Sequence, residues 1–349
     1  MSQHELTRVT ILGMPGTLAT TIAGPLDVFT QAGQLWQLLC DGLPSPFFAT
    51  ELVSEEGRVI ECLNHLSILP HRALADVQAT DLIIVTAADI STREQWRQTV
   101  CPWLQRHSRT GAKLAGICTG AFVLAEAELL NQRQATTHWG FVNQFRSWYP
   151  QVDLRPERML TKDNNVYCSG GINAYAELCL FLVEEFCGYQ VAEQCARSLV
   201  LEGRRQSQTP YAIFHYQKRH GDEGVLRAQE FMERQFGQPI ELGALANEVA
   251  MSERNFKRRF KKATGDTPLE YLQRLRIEQA KQELTGSAAG IDQIAGAVGY
   301  QDMAHFRALF RKYTGLTPSD YRKRTRVALE HRAVSGAMTN SKSQMENGR

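Results

Sequence analysis

From Arg8 to about Glu202, short unbroken apolar runs alternate with stretches whose apolar residues recur every three or four positions. The runs are Arg8-Val9-Thr10-Ile11-Leu12-Gly13, Phe47 to Val53, Asp81-Leu82-Ile83-Ile84-Val85-Thr86 and Lys113-Leu114-Ala115-Gly116-Ile117. A strand that is apolar on both faces belongs in a sheet covered on both sides, and strand–helix alternation builds such sheets parallel. The pattern therefore predicts an α/β sandwich over residues 8–202. Between the runs, Ser91 to His107 reads as a helix capped by Ser91, with Trp96, Val100, Trp103 and Leu104 as its apolar stripe.

Around Gly203-Arg204-Arg205-Gln206-Ser207-Gln208-Thr209-Pro210 the chain turns polar and periodicity lapses, which predicts an interdomain linker over 203–223. Residues 224–325 are helical in pattern almost throughout and contain an internal repeat. Phe256, Phe260, Gly265, Thr267, Pro268 and Tyr271 recur 50 positions later as Phe306, Phe310, Gly315, Thr317, Pro318 and Tyr321. Upstream, Leu245, Ala246 and Ala250 match Ile294, Ala295 and Gly299 at an offset of 49, so the copies differ by one residue near a turn. Residues 326–349 are polar, carry no stripe, and are expected to be disordered.

At 349 residues the chain is long enough for about two domains, and 43% hydrophobic with 22% charged residues excludes a disordered chain, a collagen or a coiled-coil rod. No apolar run approaches the roughly 18–20 residues that cross a bilayer, and Met1 to Arg8 shows no secretory signal, so a soluble, cytoplasmic protein is expected. The net charge of +2 conceals an asymmetry: residues 1–200 carry −6 and residues 201–349 carry +8. An acidic half joined to a basic half suggests a polyanion-binding module attached to something else. The eight cysteines, Cys40, Cys62, Cys101, Cys118, Cys168, Cys179, Cys187 and Cys195, all lie in the first half without metal-binding spacing. They read as reduced thiols, mostly buried, and neither a metal nor a cofactor is expected.

In the basic half, Leu242, Leu245, Ala246 and Val249 form one apolar helix, and Ser252 caps a second that runs to about Ala263. This is a helix-turn-helix pattern. On the second helix Phe256 and Phe260 face one way, while Arg254, Lys257, Arg258 and Lys261 lie roughly opposite. A solvated face is the competing reading. Six cations (Arg254, Lys257, Arg258, Arg259, Lys261, Lys262) against the single acid Glu253 favour a helix that enters the major groove.

These residues resemble a known family. Ser252 to Phe260, Gly265 to Tyr271, Leu275 to Ala280 and Ile294 to Arg322 are similar to the AraC/XylS-type DNA-binding domain, two helix-turn-helix units joined by a long helix. The resemblance implies transcriptional regulation at operator DNA. Base contacts are expected at Arg254, Lys257 and Arg258 in the first reader and at the +50 positions Ala304, Arg307 and Ala308 in the second. Ser252, Asn255 and Lys261 complete the DNA-facing set.

In the acidic half, Gly116-Ile117-Cys118-Thr119-Gly120 puts a cysteine between a strand and a helix, the geometry of a nucleophile elbow. A helix N-terminus is expected to lower the thiol's pKa and make it oxidise readily. His138 and Asp27 are candidate partners, so Cys118, Thr119, His138 and Asp27 form the candidate catalytic set. Equally, Cys118 reads as a small buried residue and His138 as a helix cap.

Ala23-Gly24-Pro25-Leu26-Asp27, Ile117 to Ala121, Thr136-Thr137-His138-Trp139 and Ser169-Gly170-Gly171-Ile172 resemble the ThiJ/PfpI class I amidotransferase-like superfamily, which implies a flavodoxin-like sandwich. With the AraC-type domain, the chain resembles the GlxA-type transcriptional regulators. Two departures from related enzymes count against catalysis: Thr119 stands where peptidase-like members carry His, and Thr21 stands where isonitrile hydratases carry an acid. The expected protein is a catalytically inactive sensor whose ligand meets Asp27, Cys118, Thr119, His138 and Trp139. An amino acid or a quaternary amine held on the faces of Trp36, Trp139, Phe141 and Trp148 is the expected effector. A homodimer, and RNA polymerase as a further partner, complete the expectation. The alternatives are a Cys118-dependent hydratase or amidase, and a scaffold that only dimerises.

Overall fold

The computed structural model describes residues 5–202, 205–211, 218, 220–323 and 325, and the chain divides into two compact units between Thr209 and Pro210. The first unit runs β1 (Thr7–Leu12), α1 (Thr20–Gln31), α2 (Leu35–Leu39), β2 (Phe48–Ser54), β3 (Ile60–Glu61), β4 (Ser67–Ile68), β5 (Arg72–Ala73), β6 (Leu82–Val85), α3 (Arg93–Trp96), α4 (Val100–Arg109), β7 (Lys113–Ile117), α5 (Gly120–Glu126), β8 (Gln134–Ala135), α6 (Val142–Trp148), β9 (Asp153–Leu154), β10 (Leu160–Asp163), β11 (Val166–Ser169), α7 (Tyr175–Cys187) and α8 (Tyr189–Ser198). Seven strands form one sheet in the order β10-β11-β7-β6-β1-β2-β5. Every neighbouring pair is parallel except β10 with β11.

The sheet is buried on both faces because its central strands carry apolar residues in both parities. Ile83, Val85 and Leu114 point into one core with Trp96, Trp103, Leu104 and Phe122. Val9, Ile11, Leu82, Ile84 and Ile117 point into the other with Phe29, Leu178 and Val183. This is the flavodoxin-like sandwich expected.

Two local expectations are corrected. Ser91 does not cap a helix that runs to His107. Asp89 caps a short 3-10 turn by accepting the Ser91 N–H at 2.9 Å, α3 ends at Trp96, and α4 begins at Val100. Pro102 supplies the reason: without an N–H it belongs in the first turn of a helix, so the helix that holds it starts just before it. Nor are residues 205–209 of the polar stretch a free linker. Gln208 is buried and donates to the Thr137 carbonyl at 2.8 Å and the Thr136 hydroxyl at 3.1 Å. Arg205 forms an ion pair with the buried Glu177. Polar residues here are in demand because they complete the hydrogen bonding of backbone that the sheet leaves unpaired. The expected disorder of residues 326–349 lies outside the described residues.

The second unit consists of α9 (Glu223–Gln235), α10 (Leu242–Glu248), α11 (Glu253–Thr264), α12 (Pro268–Gly286), α13 (Ile291–Ala297) and α14 (Met303–Thr314), with helix resuming over 318–323. The sequence repeat is a structural repeat with two cores. Phe256, Phe260 and Tyr271 stack edge to face at 5.5 and 5.3 Å, and Phe306, Phe310 and Tyr321 repeat the stack at 5.7 and 5.6 Å. The long α12 gives Tyr271, Leu272 and Leu275 to the first core and Ile277, Ala280 and Leu284 to the second. Behind each stack, Thr264 and Thr314 donate to the carbonyls of Phe260 and Phe310, at 2.8 and 2.7 Å. Gly265 and Gly315 then end their helices in the left-handed region, with φ of 80° and 72°.

The one-residue difference between the copies falls beside the turns, where the chain must adopt positive φ: Ala250 has φ 57° and Gly299 φ 89°. A left-handed alanine costs about 1–2 kcal/mol, partly offset because glycine loses more entropy on folding. Ala250→Gly should therefore raise stability by at most about 1 kcal/mol. A Cβ on Gly299 would lie 3.0 Å from the Phe236 carbonyl oxygen and 2.9 Å from the Arg276 guanidinium. Gly299→Ala should lower stability by about 1–3 kcal/mol. Denaturant unfolding of the two variants should show opposite signs, and equal losses would contradict this account of the turns.

Candidate ligand and nucleic-acid sites

β7 ends at Ile117 and α5 starts at Gly120, so Cys118 and Thr119 make the whole turn. Cys118 sits at φ 57°, a conformation unusual for a side-chain-bearing residue and held by its neighbours. Its N–H donates to the Ser169 carbonyl at 2.9 Å, and the Thr137 hydroxyl donates to its carbonyl at 2.8 Å. Thr119 Oγ1 accepts from the Ala88 N–H and donates to the Ala88 carbonyl, both at 2.9 Å. Gly120 is required by crowding, since a Cβ there would lie 2.5 Å from the Val85 carbonyl oxygen and 2.7 Å from that of Thr86. The elbow is thus built as the sequence predicts.

Its electrostatics are the reverse of the expectation. Cys118 is 4% exposed, and burial pushes its thiol up to about 12. The dipole of a seven-residue helix offers about 0.3–1 kcal/mol, less than the cost of desolvating a thiolate. At neutral pH Cys118 is a thiol.

His138 takes the structural role. Its Nδ1 accepts the Gly140 N–H at 3.1 Å, which caps the short turn Trp139–Phe141, and burial holds its pKa below the ordinary imidazole value. The ring packs at 5.0 Å from Trp139. Asp27 is exposed on α1. Among the described residues no hydrogen bond joins Cys118, His138 and Asp27. Thr21 is buried, sharing a hydrogen bond with Thr17 at 3.0 Å. Beside the turn, the fully buried Ser169 hydroxyl has no hydrogen-bond partner among the described residues.

The structure brings Cys118, Thr119, His138 and Trp139 to one end of the sheet, and among the described residues Asp27 makes no hydrogen bond to them. The four aromatic faces do not make one cage. Arg93 covers Trp148 at 4.1 Å and Arg197 covers Trp36 at 5.1 Å, so two of the rings already hold the chain's own guanidinium groups. Phe141 and Trp148 pack in the α4–α6 core.

In the second unit Ser252 caps α11 by accepting the Asn255 N–H at 3.4 Å, and Asp302 caps α14 from the +50 position through Ala304 and His305. Phe256 and Phe260 are buried while Arg254, Lys257, Arg258 and Lys261 are exposed, as the spacing predicts. Lys257 forms an i,i+4 ion pair with Glu253, and Arg258 donates to the Asn255 side chain at 2.9 Å. Arg254 and Lys261 make no hydrogen bond or ion pair among the described residues. On α14, Ala304, Arg307 and Ala308 are exposed, and Arg307 lies 3.7 Å from Asp292. Arg259, counted among the cations, instead grips Asp222 through two hydrogen bonds of 2.9 and 2.7 Å and ties α11 to the start of α9. Sequence reasoning also missed Arg276, which donates to the carbonyls of Phe236 and Gln238 at 2.8 and 2.9 Å and lies 5.4 Å from the ring of Tyr300.

Residues 8–185 match the DJ-1/PfpI family and residues 245–324 match a helix-turn-helix domain. The chain is similar to the HTH-type transcriptional regulator CdhR of Pseudomonas aeruginosa, 29% identical over 257 residues that span 73% of this chain and 76% of that one. It is similar to the HTH-type transcriptional regulator GbdR of the same species, 27% identical over 73% of this chain and 69% of the relative. It is also 27% identical to the isonitrile hydratase of Pseudomonas putida over 37% of this chain and 55% of the enzyme.

A buried thiol above the ordinary range resists alkylation. Brief treatment of the native protein with iodoacetamide at pH 7.5 should label the exposed Cys40 and leave Cys118 unmodified in peptide mass spectra. Because burial raises the thiol's pKa, its neutral form contributes stability fully below the pKa of the unfolded thiol, about 8.5, and that contribution declines as pH rises. Labelling of Cys118 as fast as Cys40 would contradict the closed elbow.

Proposed function

We infer, since this chain belongs to the DJ-1/PfpI family and carries a helix-turn-helix domain behind it, that it is a transcriptional regulator whose second unit reads operator DNA under control of the first. The observation that carries this reading is α11. Its apolar side is locked by Phe256 and Phe260, and its other side presents Arg254, Lys257, Arg258 and Lys261 to solvent. The twofold repeat of core, cap and turn supports a second reader in α14, with Ala304, Arg307 and Ala308 as its contacts. Ser252 and Asn255 orient the start of the first reader. The working division is a sensing and dimerising unit over 8–202 and a reading unit over 224–325, with residues 203–223 between them.

The first unit acts as a sensor without turnover. Thr119 has its hydroxyl engaged, the Cys118 thiol is neutral and buried, and His138 spends Nδ1 on a backbone N–H. The effector meets the half-buried rim formed by His138 and Trp139. An amino acid suits that rim, whereas the tryptophan cage for a quaternary amine loses two rings to internal arginines. Homodimerisation gives each operator two contacts, and exposed Leu38, Leu39 and Leu43 near α2, with Leu63, Leu66 and Leu69 around β3 and β4, supply apolar surface for it. RNA polymerase is the further partner of a regulator that activates. No described helix is long and apolar enough to cross a membrane, which agrees with cytoplasmic action on DNA. The reading of a Cys118-dependent enzyme retains two observations in its favour, the left-handed elbow itself and the likeness of 37% of the chain to an isonitrile hydratase.

Binding of the full chain to DNA selected from a random pool should weaken steeply with salt. Arg254→Ala or Arg258→Ala should cost about 1–3 kcal/mol and relax specificity at a few adjacent positions, with Ala304→Ser costing less. Losses equal on every sequence would show that these arginines hold phosphates and do not read bases.

A further inference from the structure

A groove of about 780 Å³ opens where the first turn of α9 meets the flank of α11. Arg227, Arg258, Arg259 and Lys262 line it against Asp222 and Glu223, a net charge of +2. Asp222 is already committed: it holds Arg259 in the two-pronged pair and caps α9 by accepting the Val225 N–H at 3.2 Å. Of the other three cations, Arg258 donates to the Asn255 side chain, while Arg227 and Lys262 are exposed and make no hydrogen bond or ion pair among the described residues. Like charges gathered in one groove repel unless an anion enters between them.

The position of the groove names the anion. At 100° per residue, Lys262 lies one turn beyond Arg258 on the edge of the exposed cation row, on the side that faces α9. A helix with its side chains is about 10–12 Å across and the major groove about 12 Å wide, so a helix seated there brings its flanks against the bordering phosphates.

We propose that this groove is a phosphate clamp, in which a DNA backbone phosphodiester beside the base pairs read by α11 is seated between Arg227 of α9 and Lys262 of α11. The inference rests on the DNA-reading function argued above. Arg258 stands at the boundary, shared between the clamp and the reading face. Arg259 and Asp222 are positioning residues that fix α9 to α11 and so set the spacing of the two clamp cations. The clamp carries no sequence information and sets how the reader docks.

The test uses the full chain, a duplex selected by it from a random pool, and a scrambled duplex of equal length, each titrated across a salt series. Arg227→Ala and Lys262→Ala should weaken both duplexes by similar factors, roughly 3- to 10-fold, and lower the slope of log affinity against log salt by about 0.9 per lost phosphate. Arg227→Lys should keep most of the affinity. Unchanged affinity and slope in both alanine variants would overturn the clamp while leaving the DNA-reading function standing, and a loss confined to the selected duplex would overturn it in favour of base readout. A wild-type chain that binds neither duplex would remove the function and the clamp together.

Discussion

The approach of α5 to the end of β6 decides what the first unit can do. Gly120 lies so close to the carbonyls of Val85 and Thr86 that no side chain fits there. That contact places the start of the helix and leaves Cys118 to make the turn at positive φ. Hydrogen bonds from Thr119 to Ala88 and from Thr137 to the Cys118 carbonyl then close the turn. Burial in the closed turn raises the cost of a thiolate, and the backbone hydrogen bond from Thr119 offsets only part of that desolvation. The turn of a nucleophile elbow is therefore present, with its thiol held in the neutral form by packing.

The second unit solves a different problem, how to hold a highly charged helix still. Six cations on α11 repel one another, and the helix keeps its place because Phe256 and Phe260 enter an aromatic stack with Tyr271. Arg259 adds a lateral tie to Asp222. Duplication of the stack around a shared α12 gives two such helices, and Arg276 on that shared helix engages the loop after α9 while packing on Tyr300 of the second copy. The two proposed readers differ chemically: α11 presents long cations, and α14 presents two alanines and Arg307. Long cations suit polar readout and alanines suit apolar contact with thymine methyl groups.

Much of this was legible in the sequence, for identifiable reasons. The apolar runs Leu82 to Val85 and Lys113 to Ile117 suit only strands buried on both faces, and the 50-residue repeat of aromatic and turn residues specifies a duplicated core. The resemblances read from the elbow and from the helix-turn-helix stretches agree with the family matches over 8–185 and 245–324. The two-residue strands, such as β5, are too short to show periodicity. Pro102 marks the true start of α4 and was a usable signal that the Ser91 reading passed over. The charge state of Cys118 was not legible, because a helix dipole is a local property whereas desolvation depends on residues as distant as Ser169 and Thr137. For the same reason Arg259 reads as one more cation until the fold brings Asp222 to it, and Gln208 reads as linker until the fold buries it.

The central claim is that the elbow regulates without catalysing. The direct measurement follows reporter expression from a promoter bearing the selected operator, in cells carrying wild type or Cys118→Ser, while the same purified proteins are assayed for hydratase and amidase turnover. The account predicts effector-dependent expression that survives the substitution and no turnover from either protein. Turnover in the wild type that disappears in Cys118→Ser, together with loss of promoter control, would contradict it.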